Sequence, residues 1–389
     1  MRKHNIAIRH FVKRDLANFV DRVQPELAPE ALNLALITDT HDRTQLSRTY
    51  YGPNGFWHVQ EQHWLAGELP IDWRVHLGDM VDGSEPSFLT EWRLKNMVSD
   101  YAADITPFVI AKGNHDDNDK FAEKNRRFAG SFHPAVFNDA VFARMANQVG
   151  GPTVTRHGLS WFDTPQIRVV TLNTSDVPVR WINGRKNYDV KKTLAVTLGQ
   201  IQELIQVLAD AGDRDVLVLS HAPMINKSGK PALKYNGRAV HELLRAVNLH
   251  AKGTVNLGNH PDFGGQADFD FTSTSGNIIA VLSGHYHYEA DYAVNGIHYS
   301  VQNVSALMGR HHALTTRFNR NFDRHINQTN EYAGYVVSVD PNQRTLTILV
   351  MGRQHQSGDL LTEHTKNKFK KVVVSACKNQ KCMLYFSQG

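Results

Sequence analysis

The apolar residues of this chain fall into short runs, and several of the runs end on the same kind of polar loop. Residues 32–38 read Leu-Asn-Leu-Ala-Leu-Ile-Thr, the pattern of a buried strand, with Asp39 at its C-terminal end. Residues 73–77 form a second such run, leading into Gly78-Asp79, and residues 107–111 a third, leading into Gly113-Asn114-His115. Residues 57–69 and 88–101 read as helix between them. The first third thus alternates strand, polar loop and helix three times, which predicts an α/β fold. Further strands are predicted over 166–172, 215–219 and 277–282; the last two deliver His221 and Gly284-His285-Tyr286-His287. Residues 198–208 predict a helix, because Ile201, Leu204, Ile205 and Leu208 share a face. Residues 296–304 and 334–350 predict later strands, with Asp340-Pro341-Asn342-Gln343 as a hairpin turn.

The two ends read differently. Residues 1–30 predict an amphipathic helix, with Phe11, Val12, Leu16, Phe19 and Val20 on one face, and a polar linker ending at Pro29. Residues 354–389 read as a polar, basic tail with one strand-like piece at 371–376. The expected organisation is an N-terminal helical extension (1–30), one main domain (31–353) and a C-terminal tail (354–389). The polar and aromatic stretch from 120 to 160 gives no assignable pattern. Residues 222–276 are long for a connection and read as a lid. Its Lys227, Lys230, Lys234, Tyr235, Asn236 and Arg238 suit an anionic substrate, and equally a solvated basic loop.

Composition narrows the picture. The 389 residues are 41% hydrophobic and 21% charged, as in a soluble globular protein. A formal net charge of +5 suits an anionic substrate without requiring nucleic acid. Two cysteines, Cys377 and Cys382, exclude a disulfide framework and a four-cysteine zinc site. No apolar run approaches the roughly 20 residues that span a bilayer, and the start lacks the apolar core of a signal peptide. A cytoplasmic location is the default expectation, with virion or cell-surface association left open.

Five short pieces carry the candidate chemistry: Asp39-Thr40-His41, Gly78-Asp79-Met80-Val81-Asp82, Gly113-Asn114-His115-Asp116, Ser220-His221 and Gly284-His285-Tyr286-His287. Each alone reads as an ordinary turn or cap. In order, they supply carboxylate, imidazole and amide oxygen at five strand ends. That mixture suits manganese, iron or zinc better than calcium or magnesium. Two such ions about 3.5–4 Å apart can hold a bridging hydroxide and clamp the oxygens of an in-line displacement. On an extended strand end, the side chains of Asp39 and His41 share a face, as do those of His285 and His287. Gly258-Asn259-His260 repeats the core of the third piece but reads as a loop, and His311 and His312 read as surface residues. Tyr50, Tyr51, Phe56 and Trp57 read as an aromatic rim or as packing against the N-terminal helix.

The ordered set D-x-H, G-D-x-x-D, G-N-H-D, S-H, G-H-x-H resembles the calcineurin-like metallophosphoesterase family, over residues 39–287 and with hairpins out to about 353. The resemblance implies a four-layer α/β/β/α sandwich of two mixed sheets flanked by helices. It implies that Asp39, His41 and His287 hold one metal, that Asn114, His221 and His285 hold the other, and that Asp79 bridges both. His115 would face the substrate and protonate the leaving oxygen, with Asp82 pairing with it to keep it oriented and charged. Gly83 stands where the protein-phosphatase branch has an arginine, and Asp116 where a glutamate is usual. Both features, with the closing G-H-x-H, lean toward phosphodiesterase-like branches. The expected function is dinuclear metal-dependent hydrolysis of phosphodiesters by a metal-bridging hydroxide, with manganese first among the metals and iron or zinc as alternatives. Its partner is a small-molecule or polymeric phosphoester; nucleic acid is not expected, and the sequence names no substrate-binding residue. The alternatives are a phosphomonoesterase of the same fold, a phage-tail or surface-polymer module that chiefly binds, and, less favoured, a nuclease.

Overall fold

The computed structural model describes residues 8–44, 46–47, 50–51, 54–121, 130–182, 185–307, 324–352, 370–377 and 380–382. The chain starts with α1 (His10–Val23), β1 (Leu32–Ile37), α2 (Asn54–Glu68), β2 (Trp73–His76), α3 (Ser87–Tyr101) and β3 (Phe108–Ile110). It continues through β4 (Thr153–Val154), β5 (Ser160–Asp163), β6 (Ile167–Leu172), α4 (Leu198–Ala209), β7 (Asp215–Ser220) and α5 (Gly237–Asn248). A hairpin of β8 (Lys252–Asn256) and β9 (Gln266–Asp270) precedes β10 (Ile278–Ser283), β11 (Ala290–Val294) and β12 (Ile297–Val301). The last strands are β13 (Ala333–Asp340), β14 (Thr345–Gly352), β15 (Lys370–Cys377) and β16 (Gln380–Cys382).

Two seven-stranded sheets result, ordered β16-β15-β14-β13-β1-β2-β3 and β11-β12-β10-β7-β6-β5-β4. Both are mixed: β1, β2 and β3 run parallel while β13 is antiparallel to β1. In the second sheet β6, β7, β10 and β12 run parallel, and β5 and β11 are antiparallel to their neighbours. One apolar cluster joins Leu34, Leu36 and Val75 of the first sheet to Val169, Leu217 and Leu282 of the second, so the sheets pack face to face. Trp73 and Phe162 stack across that interface with ring centroids 3.6 Å apart. Helices α1, α2 and α3 bury Leu16, Phe19, Val59, Leu65, Leu94 and Met97 in the same cluster. The other face of the second sheet packs Val170, Val218 and Val281 against α4 and α5. This is the expected four-layer α/β/β/α arrangement. The strands are buried on both faces, which is why they read as near-continuous apolar runs.

Three stretches differ from the sequence reading. Residues 222–276 are not a structureless connection but contain α5 and the β8–β9 hairpin. Residues 134–146 are helical, with a π turn over Asn138–Phe142. Strand β15 pairs parallel with β14, so part of the C-terminal stretch extends the first sheet. The side chains of Tyr50 and Tyr51, and residues His311 and His312, lie outside the described residues; Phe56 packs against the core. No described helix is long and apolar enough to cross a membrane.

Candidate metal centre

The strands of both sheets end level with one another. Ile37 pairs with His76 and His76 with Ile110, while Ser220 pairs with Ser283. The five polar pieces therefore leave their strands at one edge, where ligands collect in open α/β sheets. Main-chain bonds then stitch the loops together: Asp39 N–H to Gly78 O at 3.0 Å, His41 N–H to Asp79 O at 3.0 Å, and Gly284 N–H to His221 O at 2.8 Å.

Strand alternation does not aim the side chains. Asp39, His41, Asp79, His285 and His287 all have left-handed backbone, with φ from 44 to 69°. The strands stop at Ile37 and Ser283, and each ligand-type residue sits in the turn that follows. The expected shared face is thus replaced by a sequence of tight turns. Such conformations are disfavoured for non-glycine residues and persist where the surrounding structure holds them. Close approach also selects glycine at Gly113, where a Cβ would lie 2.1 Å from both the Asp79 amide nitrogen and its Oδ1.

One half of the site is built around His221. Its Nδ1–H donates to Leu77 O at 2.9 Å, which turns Nε2 toward the centre. That nitrogen faces Asn114 Oδ1 at 2.8 Å, His285 Nδ1 at 3.2 Å and Asp79 Oδ2 at 3.4 Å. The Asn114 amide is oriented because its Nδ2–H donates to Lys191 O at 3.0 Å. The other half centres on Asp39 Oδ1, which lies 3.2 Å from His287 Nε2 and 3.7 Å from His41 Nε2. Asp39 Oδ2 is already occupied, accepting from Thr38 Oγ1 at 2.6 Å and His285 N–H at 3.0 Å. Asp79 joins the halves. Its Oδ1 accepts from His115 N–H at 2.8 Å, while Oδ2 lies 3.4 Å from His221 Nε2 and 3.7 Å from His41 Nε2.

The electrostatics demand positive charge here. Asp39 Oδ1 and Asp79 Oδ2 are buried without a hydrogen-bond partner, a costly state for a carboxylate. Burial alone would raise both pKa values, but the surrounding histidines hold both carboxyls below the usual range. His221 is pushed the other way: burial disfavours its charge, yet Asp79 and Asp39 raise it to about 9. Burial and neighbouring imidazoles keep His41 and His285 neutral, the latter down to about 3. The ligand atoms of Asp39, His41, Asp79 and His287 all lie within 4.8 Å of one another, as do those of Asp79, His221 and His285. Convergent lone pairs around two buried carboxylates fit a pair of divalent cations sharing Asp79.

His115 stands beside this centre, its ring edge-on to His41 at 4.8 Å. The expected pairing with the Asp82 carboxylate is not what holds it. His115 Nδ1 donates instead to the Asp82 main-chain carbonyl at 2.8 Å. The Asp82 carboxylate is taken by Lys120 Nζ at 2.6 Å and by Ser84. Burial lowers the His115 pKa, and Asp79 and Asp82 only partly offset it, so the imidazole is not held charged. Gly83 has φ +65°, and a Cβ there would lie 2.3 Å from His115 O. This backbone leaves no room for an arginine at that position.

Sequence reasoning missed the supports. Asp116 binds the amides of Gly113 at 2.8 Å, Asp79 at 3.1 Å and Val81 at 3.3 Å, tying the second and third pieces together. Buried His76 accepts from Gly78 N–H at 3.1 Å and reaches Thr40 Oγ1 at 3.0 Å, beneath the site. The signal for the first was an acidic run, Asp116-Asp117-Asn118-Asp119, that is buried throughout. His260 of the repeated motif packs with Tyr235 and Phe263 and joins none of the His and Asp clusters among the described residues.

A family model described as calcineurin-like phosphoesterase matches residues 32–289, well over half of the chain. Solved structures to which the chain is similar include a dimetal phosphatase from Danio rerio (TM-score 0.49, 13% identity, covering 79% of this chain and 95% of that one). Another is GAP50, the anchor in the inner membrane complex of Plasmodium (TM-score 0.43, 11% identity, 88% and 90% covered). A third is the purple acid phosphatase PPD1 of yellow lupin, Lupinus luteus (TM-score 0.41, 12% identity, 79% and 49% covered). No curated protein matches the chain. With five motif loops at one sheet edge and the family model spanning them, the chain belongs to the calcineurin-like phosphoesterase family, which makes it a metal-dependent phosphoric ester hydrolase.

Proposed function

We propose that the protein hydrolyses phosphodiesters at a two-metal centre, with manganese as the preferred ion. In this reading Asp39, His41 and His287 hold one ion, Asn114, His221 and His285 the other, and Asp79 both. The observation that carries it is the placement of Asp79 Oδ2, unpartnered and 3.4 and 3.7 Å from imidazoles of the two halves. Bound divalent ions supply the nucleophile and oppose the charge on the phosphoryl oxygens. The rest is the work of side chains. Leu77 O and Lys191 O fix the His221 ring and the Asn114 amide with Nε2 and Oδ1 turned inward. Asp82 O fixes the His115 ring through Nδ1. In the neutral ring Nε2 carries no proton, so it would give one to the departing oxygen only after taking one up from water. Diester preference is supported by the filled space at Gly83, which removes the cationic side chain that grips a monoester phosphate in the protein-phosphatase branch.

The test compares bis(p-nitrophenyl) phosphate with p-nitrophenyl phosphate in the presence of manganese. The diester is expected to turn over faster. His115→Ala should slow esters of poor alkyl leaving groups by about 10²–10⁴ and aryl esters less. Full activity in an Asp79→Asn, His115→Ala double variant would overturn the reading.

A further inference from the structure

A pocket of about 400 Å³ opens beside His285. Its wall includes Lys191, Lys192 and Lys234, together with Leu194 and Pro231, and no acidic residue. Lys192 reaches Asp189 at 3.3 Å, and Lys234 lies over the Tyr235 ring at 5.5 Å. Lys191, Lys192 and Lys234 thus put three positively charged residues in the wall of one cavity, which favours an anion there. The frame that presents them is rigid: Lys234 N–H donates to Leu194 O at 2.9 Å, and Ala195 bridges to Tyr235. It is also tied to the metal centre, because Lys191 O accepts the Asn114 side-chain amide at 3.0 Å. A second, larger cavity of about 620 Å³ shares Pro231, Leu233 and Lys234 with the first and adds Arg238, Arg245 and Phe269. In that second wall Arg245 is paired with Glu242 at 2.5 Å, so the three lysines of the first cavity are the basic group next to His285.

We infer that this pocket binds a second phosphate carried by the substrate, so that the preferred substrate is a phosphoester with a further phosphate on the same molecule. The inference rests on the proposed phosphoesterase reading and deepens it. Lys192 and Lys234 supply the charge, and the Lys191 segment sets its distance from the centre. The closing experiment separates the two ideas. Binding of thymidine 3′,5′-bisphosphate and of thymidine 5′-monophosphate to the manganese-loaded protein is measured by calorimetry. In parallel, turnover is followed with the p-nitrophenyl ester of the 5′-phosphate, with and without a 3′-phosphate. The bisphosphate is expected to bind about tenfold more tightly, and the Lys192→Gln, Lys234→Gln variant to lose that preference while keeping its metal content. Equal affinity for the two nucleotides, or a preference unchanged in the variant, would overturn the inference. A preference that holds while neither ester turns over would support the anion pocket and contradict the phosphoesterase reading instead.

Discussion

Asp79 carries more of the site than any other residue. One oxygen pins the His115 amide, and the other is left bare between two groups of imidazoles. Asp79→Asn keeps the shape but removes the anionic charge that both halves share. The expected result is loss of both metal ions, read by metal analysis after dialysis, with the fold retained by circular dichroism. Thr38 offers a gentler test. Its hydroxyl occupies Asp39 Oδ2 and leaves Oδ1 facing inward. Thr38→Val removes that hydroxyl with little change of shape, and should weaken metal affinity about 10–100-fold in a competition titration with a chelating dye. The motif residues were legible because chemistry restricts their types. Their left-handed backbone was not, since nothing in Asp39 or His285 as residue types announces a positive φ. Asp82 shows the same limit: its main chain, not its carboxylate, meets His115.

The elements divide in the same way. Strands β1, β7 and β10 were legible because both faces are buried, so Leu-Asn-Leu-Ala-Leu-Ile and Asp-Val-Leu-Val-Leu-Ser are almost uninterrupted apolar runs. Helix α5 was overlooked although Val240, Leu243, Leu244 and Val247 carry helical spacing and are all buried. Its N-cap, Asn236, has a left-handed backbone and gives no side-chain cap, so the usual start signal is absent. The helical residues 134–146 escaped because they pack by aromatic contacts around a π turn rather than by a regular stripe. Helix α1 was read correctly as amphipathic, and its role follows from what it covers. Phe19 and Leu16 are fully buried against the outer face of the first sheet. Arg9, just before α1, reaches Glu61 of α2 at 2.8 Å and Glu331 at 2.5 Å. Phe19→Ala should cost about 3–5 kcal/mol in chemical denaturation. A cost below ~1 kcal/mol would show that α1 is an appendage and not part of the core.

At the scale of the molecule, both sheets converge on one edge, and the loops there are bonded into a single network. A second buried network lies behind it. Arg9, Glu61 and Glu331 meet His58, which lies 3.3 Å from Glu331 and reaches Ser305 Oγ at 3.0 Å. Burial lowers the His58 pKa from 6.5 to about 4, against the pull of Glu331. Its contribution to stability is therefore complete above 6.5 and is lost as pH falls toward 4. Burial would raise Glu331, but His58 and Arg9 bring it from 4.5 down to about 2, so its contribution is lost only as pH falls from 4.5 through 2. Glu61 has the opposite sign: burial raises it to about 7, and its contribution fades as pH rises from 4.5 through 7. Between pH 6.5 and 4.5 the His58 and Glu61 contributions oppose each other, so denaturation midpoints measured across pH should fall on the acid side only below about 4.5, and in His58→Gln they should rise as pH falls from 6.5 to 4.5.

The proposed hydrolysis needs two cations held through Asp79. The measurement that meets it most directly is metal content per chain after reconstitution with manganese, followed through chelation together with phosphodiester turnover. About two ions per chain are expected, removed together with activity and restored together on adding manganese back. A chain that binds no metal, or that keeps full turnover after both ions are stripped, would contradict it.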